Sequence, residues 1–175
     1  MGTVRVREQA TIYRGRVFRL VRERLEFDSR RVIRETIKHP GAAVIVPVLD
    51  RSRLVMVRQY RHAARRTLLE LPAGTLDPGE RPLACAKREL IEETGWRARR
   101  IRRLGGFFAA PGYTDEYLTV FLARALEPAR AHPEADELLR PVIIRYQDAL
   151  QKIRSGGICD AKSIIGLLLA ERFLA

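Results

Sequence analysis

The sequence predicts an α/β protein: an α/β/α sandwich around a mixed sheet, with a small antiparallel sheet at the N-terminus. Three observations predict it. Strand-like runs lie on both sides of one sharply bounded helix. Residues 41–49 (GAAVIVPVL) form a compact, continuous apolar run, so that strand needs cover on both faces. Two more helical stretches close the chain.

Each element has its own signal. Residues 1–39 read as strands. Tyr13-Arg14-Gly15-Arg16 is a tight turn, 17–27 alternates as a half-buried strand, Asp28-Ser29 turns again, and 31–38 resumes the extended pattern. This sheet lacks the apolar mass to stand alone, so it is expected to pack on the main domain or on a partner subunit. The chain thus divides into 1–39 and a main domain, 40–175. After strand 41–49, Asp50-Arg51-Ser52 has hairpin length and returns the chain as strand 54–60. Residues 62–66 are a polar loop and 68–73 a short extended run. Pro78-Gly79 turns the chain, and a helix follows from Glu80 with Leu83, Ala86 and Leu90 as its apolar stripe. Gly95 stops it. Residues 98–108 form a strand with a basic outer face, 109–114 a loop, 117–125 a strong strand, 129–138 an acid-rich loop and 141–146 the last strand. Helices 147–154 and 161–174 end the chain, the latter with Ile164, Ile165, Leu168 and Leu169 on one face.

The chemistry sits in residues 74–96. Glu89 and Glu93 are four apart and share a helix face; Glu92 is three from Glu89. Like charges so placed repel, and a cation among them relieves the repulsion. Carboxylate oxygens with little nitrogen or sulfur nearby suit a hard ion, Mg²⁺ or Mn²⁺. Acidic runs on helices are usually solvated faces, and Arg88 with Glu92 alone would be an ordinary i,i+4 pair. The spacing goes further than that. Gly74, five residues, Glu80, seven residues, Arg88-Glu89-Leu90, one residue, Glu92-Glu93, one residue and Gly95-Trp96 resembles the complete Nudix box, with every position filled.

That resemblance implies the α/β/α sandwich already read from the pattern, and hydrolysis of a nucleoside diphosphate linked to another group. It implies Glu89 and Glu93 as the main metal ligands, Glu92 assisting or bridging through water, and the carbonyl of Ala73 as a further ligand. Arg88 would hold a box glutamate in place, with Glu80 as its partner. Upstream, residues 57–74 (VRQYRHAARRTLLELPAG) resemble the ADP-ribose pyrophosphatase branch. Arg58 and Arg61 leave one strand there, and guanidinium groups suit phosphate; Arg61 is favoured because it sits beside the box in the implied fold. Glu70 would lie near the metals or contact the substrate ribose. Pro111, 15 residues after Trp96, is a feature of ADP-ribose-cleaving members, and Glu116 would orient arginine or ribose groups. The branch usually takes its general base from the loop before the last strand. Glu137 fits best, Glu134 second, with Asp136 between them. The implied reaction splits ADP-ribose into AMP and ribose 5-phosphate in a homodimer whose N-terminal sheet helps build the partner's site. Another nucleoside diphosphate sugar or FAD as substrate, or a non-catalytic regulator or nucleic-acid binder on the same fold, stay open.

Composition narrows the rest. The 175 residues suffice for one domain with a substantial core. No 18-residue apolar run predicts a membrane span, and residues 1–10 lack the apolar region of a secretory signal, so a cytoplasmic setting is expected. Two cysteines, Cys85 and Cys159, make neither a disulfide framework nor a zinc set. The formal charge is +12, but the arginines are scattered and no aromatic motif accompanies them. That favours a small anionic substrate over nucleic acid. His39, His62 and His132 form no metal set, and no Gly-x-Ser-x-Gly elbow announces a covalent nucleophile. Phe18, Phe27 and Arg34 are candidates for an adenine platform, without a choice among them.

Overall fold

The computed structural model describes residues 3–28, 30–132 and 138–174. In chain order it has β1 (Arg5–Arg14), β2 (Arg19–Phe27), β3 (Arg30–Lys38), β4 (Ala42–Pro47), β5 (Arg53–Arg61), β6 (Arg66–Glu70) and β7 (Ala73–Thr75). Then come α1 (Pro82–Thr94), β8 (Trp96–Phe108), β9 (Tyr117–Pro128), β10 (Leu139–Arg145), α2 (Tyr146–Arg154) and α3 (Ala161–Ala170).

β4 is the centre, with all six residues buried. It pairs parallel with β9 and antiparallel with β7, and β8 completes a four-stranded mixed sheet in the order β7-β4-β9-β8. The alternation of β4 decides the layers. Ala43 and Ile45 pack with Phe121 and Ala123 against Cys85, Ala86 and Leu90 of α1. Val44 and Val46 face the other way, toward Leu54 and Met56 of β5 and Tyr146, Ala149, Leu167 and Ala170 of α2 and α3. Helices therefore cover both faces, as the apolar run at 41–49 requires. α3 comes close because Gly166 has no side chain: a Cβ there would stand 2.5 Å from Leu71 Cδ1.

Several elements differ from the sequence expectation. β4 and β5 form no hairpin ladder; one bridge, Val48 to Leu54, joins them. Asp50 Oδ1 accepts from the amides of Ser52 (2.9 Å) and Arg53 (2.8 Å). That Asx-type turn redirects the chain into a second sheet, β10-β5-β6. The run at 68–73 divides at Pro72, which has no N–H to continue the β5–β6 ladder, so β7 joins β4 instead. α1 starts at Pro82 rather than Glu80, with proline in the first turn, where its missing N–H costs nothing. Its C-cap is Gly95 at φ 71°, as expected. Leu83 is exposed, and the buried stripe is Cys85, Ala86 and Leu90. α3 buries Ser163, Gly166, Leu167 and Ala170, while Leu168 and Leu169 face outward.

β1, β2 and β3 form a separate antiparallel sheet. It meets the main body where Ile37 N donates to Tyr113 O (2.8 Å) and Asp115 N donates to Ile37 O (3.2 Å). Among the described residues no helix is long and apolar enough to cross a membrane.

Candidate active site

Local chain geometry brings the box residues together. β7 lies beside α1, and Gly74 makes the closest approach. A Cβ on Gly74 would overlap the Glu89 carboxylate. Next to it, Ala73 N donates to Glu93 Oε2 (3.0 Å). Glu89 and Glu93 are 8% and 2% exposed. Arg88 gathers the other carboxylates. Its Nη1 donates to Glu89 Oε1 (2.6 Å) and Glu92 Oε2 (3.0 Å), and its Nε and Nη2 grip Glu80 at 3.1 and 2.9 Å. Nη2 also reaches Thr75 O at 3.2 Å. The hydrogen bonds to Glu80 and the charge of Glu89 hold the Arg88 pKa above its ordinary value against its partial burial. Arg88 in turn holds the Glu80 carboxyl below the usual range.

These donors suit a hard cation. All are oxygens, two belong to buried carboxylates, and the missing side chain of Gly74 leaves the space that Glu89 fills. Here the glutamates are arranged around Arg88: among the described residues no three acidic, histidine or cysteine groups converge so as to hold an ion.

β7 also lines a cavity of about 340 Å³, with Ala73, Gly74 and Thr75 on its wall. Arg61, Glu116, Phe107 and Ala109 contribute further, and α3 supplies Asp160, Ala161 and Lys162. Arg61 pairs with Glu70 through Nε (3.0 Å) and Nη2 (2.7 Å), and Lys162 Nζ contacts the same carboxylate. Glu70 is 1% exposed. Burial opposes its charge, but Arg61 and Lys162 outweigh burial and its pKa falls below the ordinary value. Cys85, beneath the box, has the reverse fate: burial and then the Glu89 charge push its thiol up to about 12, so it is no nucleophile.

The expected site residues divide accordingly. Ala73, Arg88, Glu89, Glu92 and Glu93 stand together, and Arg61 and Glu116 line the adjoining cavity. Glu70 supports Arg61 from beneath. Arg58 is exposed on β5 and does not line the cavity, because residues 58 and 61 fall on opposite faces of the strand. Pro111 is exposed in the loop whose end supplies Glu116. Glu134, Asp136 and Glu137 lie outside the described residues. Phe18, Phe27 and Arg34 are absent from the cavity wall. Sequence reasoning missed Asp160 and Lys162. Their signal was an Asp-x-x-Ser cap opening an apolar helix, with a lysine in its first turn.

Comparison with known proteins decides the family. A model described as the NUDIX domain matches residues 38–158. The chain belongs to the Nudix family. The ADP-ribose pyrophosphatase of Bacillus subtilis (strain 168) is 37% identical over 155 residues, covering 87% of this chain and 84% of that protein. A methanol dehydrogenase activator of Bacillus methanolicus is 33% identical over 159 residues, covering 89% and 86%. The fold matches a solved ADP compounds hydrolase with TM-score 0.85 and 25% identity, over 98% of this chain and 94% of that one. This Nudix chain is thus a pyrophosphatase of the ADP-ribose pyrophosphatase type.

Proposed function

We propose that the chain hydrolyses ADP-ribose to AMP and ribose 5-phosphate, with Mg²⁺ as its cation and Mn²⁺ as an alternative. The observation that carries the reading is the meeting of two charge types at β7: the buried acids of α1 behind it, and Arg61 on the cavity before it. A diphosphate needs both. Similarity to the Bacillus subtilis ADP-ribose pyrophosphatase supports this substrate class.

Glu89 and Glu93, assisted by Glu92 and the Ala73 carbonyl, would hold the cation, and Arg88 would give up part of its grip on the acids. Bound there, it would neutralise phosphate charge and lower the pKa of the attacking water. The residues do the rest. Arg61 orients a phosphate, fixed by Glu70 behind it. Glu116 lines the cavity, where it would orient arginine or ribose groups. Glu137, or failing it Glu134, takes the proton of the water that adds to phosphorus as the bridging P–O bond breaks. Arg58 and Pro111, placed off the cavity wall, would act only through the segments that carry them. Residues 1–39 serve dimerisation and the partner's substrate site, and 40–175 are the hydrolase domain, working in the cytoplasm without nucleic acid or membrane.

The test is a panel of diphosphates, ADP-ribose, other nucleoside diphosphate sugars and FAD, with and without Mg²⁺, followed by product analysis. The reading expects AMP from ADP-ribose at the highest kcat/KM and only with the cation. A different preferred substrate corrects the specificity. Wild-type protein that cleaves none of them, yet stimulates a partner enzyme, supports the regulator reading that the Bacillus methanolicus relative's name raises.

A further inference from the structure

α3 opens with a charged cluster that helix formation alone does not need. Asp160 Oδ2 accepts from Ser163 N (3.0 Å) and Ser163 Oγ (2.5 Å), a complete N-cap. Ser163 Oγ in turn accepts from Leu71 N (2.7 Å), which ties the cap to the chain just before β7. Lys162 adds nothing to that cap. Its Nζ donates to Asp160 Oδ2 (3.0 Å) and to Glu70, which Arg61 already holds through two nitrogens. Ordering a lysine costs rotamer entropy, and its ammonium sheds water when it is buried. Yet the Lys162 side chain is only 14% exposed. The four charges Arg61, Glu70, Asp160 and Lys162 sum to zero, but they are not equally placed. Arg61, Lys162 and Asp160 line the cavity, and Glu70 does not. An entering anion meets two cations, Arg61 and Lys162, and two acids, Glu116 and Asp160, of which Asp160 is engaged by Lys162.

We propose that Lys162 binds a phosphate oxygen of the diphosphate from the α3 wall of the cavity, opposite in role to the acids of α1, while Asp160 restrains its ammonium in the ligand-free protein. This rests on the reading that the cavity takes a nucleoside diphosphate. On binding, Lys162 exchanges part of its contact with Asp160 for the phosphate. Asp160 and Glu116 are then the cavity charges that oppose the ligand, and Asp160 is the one in contact with Lys162. Lys162 and Asp160 therefore have effects of opposite sign, although both stand in the same first turn of α3.

The test is ADP binding by titration calorimetry, with and without Mg²⁺, alongside kcat, KM and Tm. K162Q keeps a hydrogen-bonding group toward Glu70 and loses the charge. It is expected to weaken ADP about tenfold or more and to raise KM by a similar factor, with kcat within about threefold. K162R restores binding to within about threefold of wild type. D160N, whose amide oxygen still accepts from Ser163, binds ADP as tightly as wild type or more tightly. K162Q that binds ADP like wild type overturns the proposal. So does an equal weakening by K162Q and D160N, which would mean that both merely loosen the start of α3. Should K162Q not fold, D160N and K162R carry the decision, and a D160N that binds ADP more weakly than wild type overturns it. Wild type that binds ADP but cleaves no diphosphate sinks the functional reading and leaves Lys162 to be judged by the binding arms. Wild type that binds no ADP sinks both.

Discussion

Gly74 shows how one missing side chain can set a site. Its Cα faces Glu89 so closely that a methyl group must displace the carboxylate. Its φ lies outside the left-handed region, so space and not backbone conformation demands glycine here. Gly74→Ala is therefore expected to fold with a near-normal Tm and to lose activity by about a hundredfold or more, since a shift near 1 Å in a positioned group costs that much. Circular dichroism melting beside steady-state kinetics reads both; full activity in G74A would mean that Glu89 holds nothing that turnover needs. At this scale the clustering of Glu89, Glu92 and Arg88 was legible, because residues three and four apart on a helix share a face. Lys162 was not legible, because what brings it to Glu70 is a packing contact between segments 92 residues apart. Strand parity separates Arg58 from Arg61, since three positions along β5 turn the side chain to the other face.

At the scale of elements, α1 is held by opposed charges as much as by its apolar stripe. Leu90 is wholly buried, but Glu80, Glu89 and Glu92 all depend on Arg88. Arg88→Met is expected to cost about 3 kcal/mol at neutral pH, because it leaves half-buried acids facing one another. The pH dependence carries a sign. Arg88 lowers the folded pKa of Glu80, so their pairing stabilises the fold above the ordinary carboxylate range and fades as pH falls through the lowered value. In R88M that loss is absent, and protonation relieves the remaining repulsion. The Tm gap between wild type and R88M should narrow from about pH 7 to about pH 4. A gap that stays constant or widens on acidification would show that Arg88 acts through packing alone. The C-terminal end of α1 was legible, since Gly95 is unambiguous, but its first residue and its buried face were not. Leu83 fits the helical period yet sits in the first turn of α1, and it is exposed. The face of α3 was hidden for a related reason: small residues, Ser163, Gly166 and Ala170, are what close packing on β4 and Leu71 selects, and hydrophobicity ranks them below Leu168 and Leu169.

The whole molecule poses a question that no single chain answers. All ten residues of β1 are exposed, and Val6, Ile12 and Ile33 of the N-terminal sheet are 56%, 47% and 55% exposed. The sheet joins the main body through the backbone of Ile37 and the loop at 113–115, and none of its described residues lines the cavity beside β7. Three strands with apolar side chains facing water are a poor end state for an isolated chain, and a second copy is the simplest cover of matching chemistry. If the copies cross, the N-terminal sheet of one reaches the cavity of the other, which gives the segment the substrate role that its own chain does not provide. Ile12→Asp places a charge in that cover. Sedimentation is expected to find wild type as a dimer at micromolar concentration and I12D as a folded monomer. The monomer should show a KM for ADP-ribose raised about tenfold or more, because part of its binding surface has left with the partner. A wild-type monomer, or an I12D monomer with unchanged KM, would confine the site to one chain and leave β1 to β3 without a part in it.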